Sequence, residues 1–235
     1  MDNSRILVIP DLHFPYCHPD SLDFLHKLKV KLEPTRIICL GDELDYHSMS
    51  FHDSDPDLDS SGRELILGLG YIDTLHELFP KMDLLHSNHG SMAYRRAKHH
   101  GIPRHLLKSY NEVLGVPTND WNWHESLILT LPNGNECEFI HGISSNILAA
   151  SQTRGRSLVQ GHHHSQFELR YWTGGSGLHF AITGGCLIDD TSMAFAYNKL
   201  QIKRPIVGVI FIENSLPTLI PMALDKNNRW TGTKI

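Results

Sequence analysis

Five short polar signatures punctuate this chain, each directly after an apolar run: Asp11-Leu12-His13, Gly41-Asp42, Asn88-His89, His141-Gly142 and Gly161-His162-His163-His164. In α/β sheets ligands gather beyond the carboxyl ends of strands, so signatures at five strand ends can meet on one rim. Asp11 and His13 are two residues apart, as are His162 and His164, and in an extended chain each pair points one way with Leu12 and His163 turned opposite. The rim is then offered the carboxylates of Asp11 and Asp42, the amide of Asn88 and the imidazoles of His13, His89, His141, His162 and His164. Mixed oxygen and nitrogen donors of this kind suit Mn, Fe, Zn or Ni and are too rich in nitrogen for calcium. Two closely spaced cations repel, so an anion belongs between them, and Asp42 is the best placed carboxylate. Hydroxide held between two such cations is an in-line nucleophile toward phosphorus, and the cations neutralise the charge developing on the phosphoryl group.

The elements that must position these groups read as follows. Residues 5–11 and 35–42 are short β-branched apolar runs, each closing on an Asp, which suits buried strands. Between them Leu22, Leu25, Leu28 and Leu32 recur at helical spacing, with Asp20 or Ser21 as N-cap and Pro34 as terminator, completing a βαβ unit. Residues 61–80 predict a second helix leading into a strand at 82–88, and residues 93–114 are helical with an interruption at Gly101-Ile102-Pro103. The second half is richer in strands: 126–131 and 136–142 form a hairpin around Asn133-Gly134, a type I′ signal, and further strands follow at 157–164, 178–185 and 205–222. A parallel half followed by an antiparallel-rich half predicts an α/β fold, a four-layer αββα sandwich of two mixed sheets flanked by helices.

Bulk properties set the class. A chain of 235 residues, with 40 % hydrophobic and 20 % charged residues, is an ordinary globular sequence. No Pro/Ser-rich or single-sign linker divides it, so one domain over residues 1–235 is expected. The apolar runs at 6–10 and 206–212 are too short for a signal peptide or a membrane span, which makes a cytoplasmic location the expectation. Cys17, Cys39, Cys137 and Cys186 form no CxxC pair and read as free, mostly buried thiols. A net charge of −5 argues against a protein that coats nucleic acid non-specifically, while leaving local binding open. No P-loop, dinucleotide-binding loop or GxSxG elbow is complete.

The ordered set D-x-H, GD, NH, H and GHxH over residues 11–164 resembles the calcineurin-like metallophosphoesterases. A lone GD or HG is common by chance, and it is the ordered set of five that carries the resemblance. Position by position, it implies Asp11, His13 and His164 on one metal, Asn88, His141 and His162 on a second, and Asp42 bridging the two. It implies that His89 is not a ligand but faces the phosphate, protonating the leaving oxygen or stabilising the transition state. It also implies two divalent ions, commonly Mn²⁺, and phosphoester hydrolysis through the metal-bridging hydroxide. Two departures sit in HSNHGS, residues 86–91. Ser87 replaces the usual Gly, and Gly90 replaces the acid that would orient the histidine, for which Asp45 is the candidate substitute.

Substrate class rests on thinner signals. Arg95, Arg96, Lys98, Arg104 and Lys108 form the one strong basic cluster, either a solvated helix face or a phosphate-contacting ridge beside His89. The ridge reading favours a phosphodiester in DNA, RNA or a nucleotide. A phosphomonoesterase acting on protein or small-molecule phosphate is the alternative, and a non-catalytic metal-binding interaction module is a third reading. His47 and His52 belong to a polar loop that can reach substrate, and QTRGRS (152–157) reads as a flexible basic arm. Trp121 and Trp123 suit a core rim or a base-stacking platform, His163 faces solvent or packs, and His86 reads as a core residue.

Overall fold

The computed structural model describes residues 2–50, 57–192, 194 and 203–232; His52 lies outside them. The first half runs β1 (Arg5–Ile9), α1 (Ser21–Leu32), β2 (Arg36–Cys39), α2 (Ser61–Leu78), β3 (Met82–Leu85), α3 (Met92–His99), α4 (Tyr110–Leu114) and β4 (Trp121–His124). The second half runs β5 (Leu127–Thr130), β6 (Glu136–Ile140), α5 (Ile147–Arg154), β7 (Ser157–Gln160), β8 (Phe167–Gly174), β9 (Gly177–Gly184), β10 (Gly208–Glu213) and β11 (Leu216–Pro221). One sheet has six strands in the order β11-β10-β1-β2-β3-β4, and the other has five in the order β5-β6-β7-β9-β8. Both are mixed: β1 to β4 pair parallel while β10 runs antiparallel to β1, and β6, β7 and β9 pair parallel between antiparallel β5 and β8.

The period of two along each strand sets the layers. In β1, Ile6 and Val8 enter a cluster with Phe139, Val159 and Ile182 of the other sheet, so the two sheets pack face to face. Leu7 and Ile9 point the opposite way, into a cluster with Phe24, Leu25 and Leu28 of α1 and Ile72 and Leu75 of α2. On the far side Ile147 of α5 packs on Leu158 and Ala181. This is the αββα sandwich expected from sequence. Among the described residues no helix is long and apolar enough to cross a membrane, and all four cysteines are buried free thiols.

Several local expectations are corrected. The β5–β6 connection is not a type I′ turn: Gly134 N donates to Leu131 O (2.8 Å), Leu131 N donates to Asn135 O (2.9 Å), and Gly134 alone of the pair has positive φ. Pro132 suits the first corner of a type I turn, which moves the left-handed position onto Gly134 and lengthens the loop. The supposed arm at 152–157 is the end of α5, its left-handed cap Gly155 and the entry to β7 at Ser157. Arg154 is held by Glu138 (2.6 Å) and Arg156 by Glu136 (3.3 Å), so neither basic group swings freely.

Asp20 precedes α1 but makes no side-chain cap bond. Its carboxylate instead accepts from Arg229 Nε and from Trp230 N, both at 2.8 Å, while the Trp230 ring meets Phe24 edge-on at 5.4 Å. The C-terminal segment is thereby strapped across α1. The Arg229 hydrogen bond is the main reason that the Asp20 carboxyl is held down to about 2. A folded-state value below the unfolded value of about 4 stabilises the protein above that pH and is lost as pH falls toward about 2. Asp20→Ala is therefore expected to lower the thermal midpoint at pH 7 by about 2–6 °C and to flatten the acid limb of stability against pH. A variant whose acid limb matches the wild type would exclude the strap as its source.

Candidate metal centre

The strand ends of both sheets converge on one rim. The segments after β1, β2 and β3 carry Asp11 and His13, Asp42, and Asn88 and His89, while those after β6 and β7 carry His141 and the 162–164 histidines. Delivery is by loops and not by strand alternation: β1 stops at Ile9 and β7 at Gln160, and His13, Asp42 and His162 have positive φ of 51°, 49° and 64°. Left-handed residues turn the chain, so His162 and His164 do not share a side as an extended segment would require. Asp11, His13, Asp42 and His164 form one group whose ligand atoms all lie within 4.8 Å of one another, and Asp42, His141 and His162 form a second. Asn88 Oδ1 joins the second group, 2.7 Å from His141 Nε2.

Backbone bonds lock the loops together. Leu12 N and His13 N donate to Asp42 O (3.1 and 2.7 Å), Phe14 N donates to Glu43 O (2.9 Å) and Asp45 N to Phe14 O (3.0 Å), prolonging the β1–β2 pairing past the strands. Glycine permits the closest approaches. Gly41 has φ 101°, and a Cβ there would stand 2.7 Å from Ser87 Cβ; a Cβ on Gly161 would stand 2.5 Å from Asp11 Oδ1.

Asp42 is the member common to both groups. Its Oδ1 accepts from His89 N (3.1 Å), and its Oδ2 lies 3.4 Å from His13 Nε2 and 3.3 Å from His141 Nε2. Burial opposes its ionisation, but His141, His13 and His89 outweigh that and hold its carboxyl well below the usual range. Burial lowers His13, whose neutral ring donates from Nδ1 to Asp45 Oδ1 (2.5 Å) and so turns the Nε2 lone pair toward Asp42 and His164 Nε2, 3.2 Å away. Burial is the largest single influence on His141 and lowers it, but Asp42, Asp11 and the bond from its Nδ1 to Leu40 O (2.8 Å) together raise it to about 9. Asp11 accepts from His162 N (2.6 Å) at Oδ2, yet its Oδ1 is buried with no hydrogen-bond partner. An orphaned buried carboxylate oxygen costs several kcal/mol unless something satisfies it. Facing ring nitrogens, a shared carboxylate and this orphan oxygen are a donor set that fits divalent cations.

His89 sits at the edge of these groups. Its Nδ1 donates to the Asp45 backbone carbonyl, and Asp45 Oδ1 stands 3.6 Å from the same nitrogen. Burial opposes its protonation, but Asp42, then Asp45, raise its pKa above the ordinary imidazole value. Asp45 thus orients two histidines at once, His13 by its carboxylate and His89 by its main chain. Gly90 leaves room for Tyr110, since a Cβ there would stand 3.1 Å from Ser87 Oγ and 3.3 Å from Tyr110 Oη. Ser87 is not at positive φ, and its Oγ accepts from Gly90 N (3.0 Å), closing the turn that presents Asn88 and His89.

A cavity of about 290 Å³ opens over both groups with His89 in its lining. His163 also lines it, with Ser165 and, from the segment before β10, Lys203 and Pro205. Sequence reading set His163 aside and missed the other three, because nothing local marks a lysine some forty residues past the last motif. His86 is exposed, not in the core, and lines a second hollow of about 330 Å³ with Glu125, Asn88 and His141. Arg95 donates to Asn88 O (2.8 Å), and Arg96 donates from Nε to Met49 O (2.7 Å) and from Nη2 to Ser50 O, so both guanidiniums brace loops of the site. His47 lies 3.7 Å from Asp45 Oδ2. Trp121 is buried and donates to Phe79 O (2.9 Å), which leaves no face for a base.

In structure the chain is similar to YfcE, a phosphoesterase from E. coli, with a TM-score of 0.51 at 10 % identity over 97 % of each chain. It is also similar to Vps29 of Chaetomium thermophilum (TM-score 0.49, 13 % identity, 96 % of this chain and 92 % of that one). A single mutant of Vps29 from Entamoeba histolytica gives a TM-score of 0.48 at 14 % identity over 95 % of this chain and 94 % of that one. No family model and no curated protein matches the sequence. At these identities the likeness is one of fold.

Removing the Asp45 carboxylate strands a buried imidazole N–H. Asp45→Ala is expected to lower the unfolding free energy by about 2 kcal/mol in chelator-containing buffer, and Asp45→Asn, which keeps an acceptor, by less. Urea midpoints indistinguishable from wild type for both would show that the His13–Asp45 bond does not hold the rim.

Proposed function

Given that the chain has the calcineurin-like metallophosphoesterase fold, we propose that it is a divalent-metal-dependent phosphoesterase acting on a phosphodiester of a nucleotide or nucleic acid. One observation carries this reading: two ligand groups that share buried Asp42 open into a single cavity whose lining includes His89. In this reading Asp11, His13 and His164 would hold one ion and Asn88, His141 and His162 a second, with the Asp42 carboxylate, common to both groups, available to either. Manganese heads the candidates, with Fe, Zn or Ni compatible with the same donors. Bound cations of this kind supply an activated water-derived nucleophile and neutralise charge on the phosphoryl oxygens.

The chain's own residues do the rest. Asp45 fixes the ring of His13 so that Nε2 faces the ligand groups, and its carbonyl holds His89 by Nδ1, which leaves Nε2 to meet substrate. Asp42 and Asp45 favour the protonated form of His89, so His89 can give a proton from Nε2 to the leaving oxygen as the ester bond breaks. Exposed Arg95 and Lys98 on α3 add positive charge beside the loop that carries His89, which supports an anionic substrate.

The reading is tested with manganese-loaded protein and two substrates, bis-p-nitrophenyl phosphate and p-nitrophenyl phosphate. Turnover favouring the diester is expected, a reversed ratio would replace it with a phosphomonoesterase, and turnover of neither with metal bound would leave a non-catalytic metal-binding module. His89→Ala should lose about 10²- to 10⁴-fold in kcat and keep its manganese, whereas Asp42→Asn should lose manganese. Retention of full rate by the His89 variant would overturn its role.

Cation and proton compete for the second group. Because His141 keeps a proton up to about 9, manganese must displace it, so affinity should rise with pH toward about 9 and binding should release protons. Calorimetry in buffers of different ionisation enthalpy measures that release, and none at neutral pH would count against His141 as a ligand.

A further inference from the structure

The lining of the main cavity divides by chemistry. Part of it consists of the ligand groups and His89; the remainder is His163, Ser165, Lys203 and Pro205. This second part brings an imidazole, a hydroxyl and an ammonium to the cavity and no carboxylate, and Lys203 is the only Lys or Arg among the described residues of the lining. Such donors match an anion.

Their placement is tied to the ligand groups by main-chain bonds. Ile206 N donates to His164 O (2.9 Å), Cys186 N to Ile206 O (3.1 Å) and Leu187 N to Asp11 O (2.8 Å), so the segment carrying Lys203 and Pro205 is referenced to Asp11 and His164. Pro205 stiffens the stretch between Lys203 and that anchor. His163 stacks edge-on against His162, ring centroids 5.1 Å apart. At about 290 Å³ the cavity exceeds the space of one phosphoryl group, since a single water takes about 30 Å³.

We propose that His163, Ser165 and Lys203 form a subsite for a second phosphate of the substrate, one that is bound and not cleaved, with Lys203 as its charge-bearing contact. The inference rests on the phosphoesterase reading above and narrows it to substrates carrying two phosphates a nucleoside apart or closer. The reacting phosphoryl group faces the ligand groups and His89, and the neighbouring phosphate lies toward Lys203. A substrate with one charge and no neighbour, such as bis-p-nitrophenyl phosphate, does not use the subsite.

Binding of thymidine 3′,5′-bisphosphate and of thymidine 5′-monophosphate to the full-length manganese-loaded protein, measured by calorimetry, tests the subsite without requiring turnover. Wild type is expected to favour the bisphosphate by about tenfold, with the preference shrinking as salt is raised. Lys203→Ala is expected to abolish the preference, Lys203→Arg to retain most of it, and both to keep manganese content and thermal midpoint. No preference in wild type, or a preference that survives Lys203→Ala, overturns the proposal. Failure of the phosphoesterase reading is seen separately, as absent turnover of bis-p-nitrophenyl phosphate by wild type whatever the binding ratio.

Discussion

Asp42 is a carboxylate only 1 % exposed, set in the loop after β2, and its charge has to be balanced where it stands. An isolated buried anion is among the costliest things a fold can contain, and it is tolerated when opposite charge and hydrogen-bond donors surround it. Around Asp42 those are His141 at Oδ2 and the backbone of His89 at Oδ1, while His13 turns its Nε2 toward Oδ2 as a further ligand atom. Each of those partners is then constrained in turn: His13 by the Asp45 carboxylate, His141 by the Leu40 carbonyl and His89 by the Asp45 carbonyl. Asp11, with one buried oxygen unsatisfied, repeats the same demand a short distance away.

That network can form only because both sheets end at the same rim. The inner faces of β1 and β2 pack on Phe139 and Val159, which fixes one sheet over the other and sets the loop after β6 and β7 against the loops after β1 and β2. Contacts this close leave little space for side chains. Gly41 and Gly161 stand where a Cβ would strike Ser87 or Asp11, so the GD and GH signatures are read as packing requirements as much as chemical ones. The HSNHGS stretch has its own solution: Ser87 caps the turn through its hydroxyl, and Gly90 gives its side-chain space to Tyr110.

Much of this was legible beforehand where the signal is local. The leucine spacing of α1, the β-branched runs of β1 and β2 and the stop at Pro80 all mark elements that the structure contains. Other features were not. α5 and β8 lack a clean apolar period, because each is half exposed, and β4 was hidden by its polar WNWH composition although Trp121 is fully buried. The basic cluster on α3 reads in sequence as a ridge for phosphate, yet Arg96 spends its guanidinium on the carbonyls of Met49 and Ser50. Arg154 and Arg156 likewise meet Glu138 and Glu136 on β6, since charge in a sequence carries no record of its partners.

By itself the sequence determined the inventory of the site: two Asp, one Asn and a set of His at strand ends, a donor mixture whose chemistry follows from residue type alone. Run length and periodicity likewise determined the alternation of strands and helices that builds two sheets. How the inventory is divided had been implied only through the family resemblance; the tertiary structure shows it as geometry, with His164 beside Asp11 and His13 and His162 beside His141. The tertiary structure alone gave the Asp45 carboxylate to His13, left His89 to the Asp45 carbonyl, and brought Lys203 to the cavity. The physical reason is that these choices depend on left-handed turns and on contacts between residues as far apart as His13 and His164, 151 positions along the chain, which no local pattern encodes.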